Sequence, residues 1–102
     1  MGFGIELQDE LGGKIDGIYD PKNLLKHLLP ITDPQSSTLL ACIDPYGDTV
    51  FNSLQMNRFL SEWAEISRVA HSPEQKELTS AIESLAQSCQ GGVHLYLKFI
   101  GD

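Results

Sequence analysis

The chain has 102 residues, 14 of them acidic and 7 basic, for a formal net charge of −7. That length fits one domain with one core, and 41% hydrophobic against 21% charged residues exclude a disordered tail or a fibre. No apolar run reaches the roughly 20 residues of a membrane span. The acidic balance argues against nucleic acid as a ligand, because binding it needs positive charge to replace condensed counterions.

In chain order, Phe3, Ile5 and Leu7 alternate with Gly4, Glu6 and Gln8, a two-residue period that predicts a strand with one buried face. Asp9-Glu10-Leu11-Gly12-Gly13 supplies turn residues, and Lys14 to Tyr19 is expected to return as a second strand. Asp20 is placed to cap a helix that Pro21 opens and Pro30 stops, with Leu24, Leu25, Leu28 and Leu29 as its apolar stripe. Ile31 to Ser37 reads as a connector. Thr38 to Ile43 is a compact apolar run that predicts a central strand. Asp44-Pro45-Tyr46-Gly47-Asp48 is a turn signal, so a hairpin into Thr49-Val50-Phe51 is expected.

Met56, Phe59, Leu60, Trp63 and Ile66 recur at three- and four-residue steps and predict a helix from about Ser53 to Ala70. Ser72, Pro73 and Gln75 form the cap of a following helix, which carries Leu78, Ala81, Ile82, Leu85 and Cys89 on one side. Gly91-Gly92 is expected to end it in a left-handed cap. Val93, Leu95, Leu97 and Phe99 then alternate with His94, Tyr96, Lys98 and Ile100, which predicts a closing strand. The predicted order is β-β-α-β-β-α-α-β. It describes a single α+β domain over residues 1–102, an antiparallel or mixed sheet of about five strands with three helices mainly on one face.

Reactive constellations are sparse. The His27, His71 and His94 spacing matches no zinc motif, and no Gly-x-Ser-x-Gly elbow or phosphate-cradling glycine loop occurs. The sequence therefore predicts no enzyme activity, no metal and no cofactor. Cys42 and Cys89, 47 residues apart, form no CxxC pair and are expected to be small buried hydrophobes in a reduced compartment. The start of the chain lacks the basic stretch and apolar run of a signal peptide, so a cytoplasmic location is expected.

What the sequence does offer is surface. Asp44, Tyr46 and Asp48 share one turn, where a tyrosine between carboxylates suits a protein interface. The competing reading is an Asx-turn at Asp44 with Asp48 opening the next strand. Glu6, His94, Tyr96 and Lys98 form a second candidate set on the polar faces of the first and last strands. Residues 1–52 carry a net charge of −5 and residues 53–102 a net charge of −2, so clustering of the early turns would make a negative patch.

Ile43-Asp44-Pro45-Tyr46-Gly47-Asp48-Thr49-Val50-Phe51-Asn52, with the closing His94-Leu95-Tyr96-Leu97-Lys98-Phe99-Ile100-Gly101-Asp102, resembles small single-domain bacterial proteins, some of them similar to immunity proteins of toxin systems. The resemblance covers about a fifth of the chain and carries no catalytic residues. It implies a cytoplasmic binding protein, and the first expectation is a non-enzymatic, immunity-type inhibitor whose acidic surface occludes a basic toxin enzyme. A structural or regulatory homo-oligomer, such as a homodimer through the sheet face or an edge strand, is the second expectation. A small metal protein or enzyme using Cys89, His94, Asp44 or Asp48 is the third.

Overall fold

The computed structural model describes residues 2–29 and 38–101, so the expected connector at 31–37 and the Pro30 helix stop lie outside the described residues. Among the described residues four strands form one antiparallel sheet: β1 (Gly4–Gln8), β2 (Lys14–Tyr19), β3 (Asp48–Asn52) and β4 (Tyr96–Ile100), in the spatial order β2-β1-β4-β3. Three α-helices accompany them among the same residues: α1 (Leu24–Leu28), α2 (Met56–Val69) and α3 (Pro73–Gln90). The fold is α+β with the order β-β-α-β-α-α-β.

The long helices pack on the face of the sheet to which Ile5, Leu7, Phe51, Leu97 and Phe99 point, all buried. Period-2 alternation makes this face continuous, because Ile5 is opposite Phe99 and Leu7 opposite Leu97, which is in turn opposite Phe51. Phe59 and Trp63 of α2 stack with centroids 5.5 Å apart, and Phe59 meets Phe51 and Phe99 at 5.5 and 5.9 Å. The Trp63 indole donates to the Thr79 carbonyl at 3.0 Å, so the polar atom of the largest core side chain is satisfied by the neighbouring helix. Ser72 and Gln75 close the expected capping box of α3.

Four expectations are corrected. Thr38 to Ile43 is not a strand, and no hairpin crosses the 44–48 turn; Leu40–Cys42 is a 3₁₀ turn and β3 pairs with β4. The physical reason is a three-residue period: Leu40 and Ile43 both point into the core, and the Leu40 N–H is taken by the Glu62 carboxylate at 3.1 Å. The closing strand begins at Tyr96 rather than Val93. Tyr96 is opposite both Gln8 and Asn52, the last residues of its two partner strands, so the three residues before it have no strand to pair with. Val93 is exposed as a result.

The third correction is at Gly91, whose φ of −76° is right-handed; α3 ends in a turn in which Gly92 N–H donates to Cys89 O. The fourth concerns the cysteines. Both are free thiols, but Cys42 is exposed while Cys89 is buried. The Asp20 cap is displaced rather than lost. Asn23, at φ 54°, takes the cap position, yet the buried Asp20 carboxylate accepts from Leu24 N–H at 3.0 Å and Leu25 N–H at 2.8 Å.

Candidate interaction surface

The second face of the sheet carries the other half of each alternation. Its rows follow from the registers. Tyr19, Gly4, Ile100 and Asp48 form one row, Gly17, Glu6, Lys98 and Val50 the next, and Gln8, Tyr96 and Asn52 the third. No described helix covers this face. Tyr19 is 63% exposed and Val50 52%, while Glu6, Tyr96, Lys98 and Ile100 are half-buried.

The 44–48 turn borders this face and is rigidly held. Asp44 accepts from Tyr46 N–H at 2.8 Å, the expected Asx-turn, and its own N–H donates to the Thr49 hydroxyl at 2.9 Å. From the other side, Gly101 N–H donates to Gly47 O at 2.7 Å. A Cβ on Gly101 would lie 2.6 Å from Asp44 O and 2.7 Å from Gly47 O, so only glycine lets the end of β4 approach the turn this closely. Tyr46 stands at the tip, 75% exposed.

The two candidate sets expected from the sequence are thereby joined. Lys98 Nζ lies 3.4 Å from the Asp48 carboxylate, and Glu6 is directly opposite Lys98 in the sheet. One lysine is thus flanked by a carboxylate on each neighbouring strand, and the surface stays acidic. Gln8 donates to Glu6 at 2.9 Å and fixes its orientation.

His94 falls outside this surface. It precedes β4, and its ring faces Glu10 of the β1–β2 turn at 3.7 Å, at the opposite end of the strands from Asp44 and Asp48. The acidic turns therefore do not gather into one patch: Asp9 and Glu10 lie at one end of the sheet and Asp44 and Asp48 at the other. Asp20 is 2% exposed and committed to the α1 amides. Tyr19, Val50 and Ile100 were not singled out in the sequence. The alternation of β2 and β3 with their neighbours was the signal for them, but which face the helices would leave open was not readable.

Burial raises the Cys89 thiol from the ordinary 9.0 to about 11. It is a neutral thiol at pH 7, its sulfur 3.5 Å from the Leu95 carbonyl. Among the described residues no three His, Cys, Asp or Glu side chains are grouped to hold a metal ion, and no helix is long and apolar enough to cross a membrane. Comparison of the chain with protein-family models, curated proteins and solved structures finds no match to any of them.

Proposed function

We propose that this chain is a non-enzymatic protein-binding domain that engages a basic partner through the sheet face that no described helix covers and the adjoining 44–48 turn. The observation that carries this reading is the Asp48–Lys98–Glu6 cluster across β3, β4 and β1, with exposed Tyr46, Tyr19 and Val50 around it. Aromatic and aliphatic side chains on a rigid platform supply contact area at little entropic cost. The surrounding excess of carboxylates steers a cationic partner and raises its on-rate. The residues resembling immunity proteins, Ile43–Asn52 and His94–Asp102, include the turn and β4, and an immunity-type inhibitor covering a basic toxin enzyme is the specific form proposed.

Affinity purification from the native host tests this. A basic protein retained by the wild type at low salt and lost with rising ionic strength is expected, with a Tyr46→Ala, Asp48→Lys double variant retaining at least tenfold less. No specific partner, or equal retention by the variant, overturns the proposal. Charge reversal at Asp44 is the poorer probe, because it breaks the Asx-turn as well as removing charge.

A further inference from the structure

An open cleft of about 280 Å³ lies at the β2 edge of the sheet, walled by Ile18 and Tyr19, by Leu24 of α1 and by Leu78 and Ala81 of α3, with Glu77 on its rim. Its walls are largely apolar, and its three carboxylates are not equivalent. Asp20 is buried, with both oxygens on the Leu24 and Leu25 amides. Glu74 is held by Lys22 at 2.8 Å. Glu77 is exposed and makes no ion pair or hydrogen bond among the described residues. Tyr19 belongs both to this cleft and to the first row of the open sheet face, so the two surfaces are continuous.

We propose that the cleft receives an arginine side chain of the protein partner. Its aliphatic stem lies against Leu24, Leu78 and Ala81, as long cationic side chains do when they cover apolar surface with their heads in water. Its guanidinium meets Glu77, which has no partner among the described residues, and the Tyr19 ring supplies a face for the cation. Arginine fits better than lysine because its planar, weakly hydrated head pairs with a carboxylate and stacks on an aromatic ring at once. The volume admits one such side chain. The proposal rests on the basic-partner reading for its occupant, but its test does not need the partner.

The test is a backbone-amide NMR titration of the intact protein with N-acetyl-arginine amide and with its neutral isostere, N-acetyl-citrulline amide. Saturable shifts confined to Tyr19, Leu24, Leu78 and Ala81 and their neighbours are expected, with about fivefold weaker binding of the citrulline compound. Glu77→Gln should reduce arginine binding to the citrulline level, and Glu83→Gln, on α3 outside the cleft, should leave it unchanged. Shifts scattered over the acidic surface, equal binding of the two compounds, or wild-type binding by Glu77→Gln would overturn the proposal. Arginine binding in the cleft without any captured partner would remove the proposed function and leave this site standing. A captured partner with no arginine site would remove this inference alone.

Discussion

Lys98 on β4 reaches the Asp48 carboxylate on β3 across 3.4 Å, one row off the direct pairing in which Lys98 is opposite Val50 and Asp48 opposite Ile100. This diagonal contact fastens the first residue of the strand after the turn to the middle of the open face. Both partners keep solvent access, 26% for Lys98 and 55% for Asp48, so water screens the pair. Lys98→Ala should therefore change stability by no more than about 1 kcal/mol. Urea denaturation checks this, and a larger loss would mean that Lys98 does more than pair with a surface carboxylate.

Gly101→Ala should cost about 1–3 kcal/mol, because its Cβ would collide with the Asp44 and Gly47 carbonyls, which are backbone and cannot swing away. Gly91→Ala is the control. That glycine is right-handed, and its Cβ would meet nothing closer than 3.7 Å, so the same change there should be neutral or stabilising by about 0.4–1 kcal/mol. Equal destabilisation by both would contradict the close packing of the turn on the end of β4.

Asp20→Asn should cost about 1–3 kcal/mol, since one of the two buried acceptors becomes a donor facing a backbone N–H. The loss should be local as well as global. Hydrogen exchange at Leu24 and Leu25 should accelerate more than exchange in α2. Uniform acceleration would contradict the role of Asp20 as the anchor of α1.

Cysteine reactivity should divide cleanly. In the folded protein Cys42 should react with a thiol reagent while Cys89 stays protected until denaturant is added. The pH dependence has a fixed sign. Cys89 is raised from 9.0 to about 11 on folding, so its contribution to stability is complete below pH 9 and is lost as pH rises towards 11, where the unfolded thiol ionises first. Unfolding free energies measured from pH 8 to pH 11 should fall more steeply for the wild type than for Cys89→Ala. Parallel profiles would contradict the burial.

The parts of the fold legible in the sequence are those where many residues share one period. The Met56–Ile66 stripe and the Leu78–Cys89 stripe span several turns each, and no alternative reading accommodates them. Thr38 to Ile43 is too short for period to separate a strand from a 3₁₀ turn, and the deciding contact, Leu40 N–H to Glu62, crosses 22 residues. The Ser53–Gln55 turn before α2 had a local signal, the Asn52–Gln55 capping box, which the apolar stripe overshadowed. For the surface, the sequence yields Tyr46, Asp48, Glu6 and Lys98 as two sets. Their union depends on β4 lying between β1 and β3, a pairing between distant segments that no local pattern encodes. Alternation alone places His94 beside Tyr96 and Lys98, but β4 begins at Tyr96, where both its partner strands end.

The most direct measurement is the affinity of the captured partner for three forms of this protein: wild type, Tyr46→Ala with Asp48→Lys, and Glu65→Lys. The last makes the same charge change as Asp48→Lys on the exposed side of α2. Titration calorimetry at low and moderate salt should show at least tenfold weaker binding and a shallower salt dependence for the double variant, with Glu65→Lys close to wild type. Equal weakening by Glu65→Lys would reduce the interaction to net charge, and unchanged affinity of the double variant would remove the open sheet face and its turn from the binding surface.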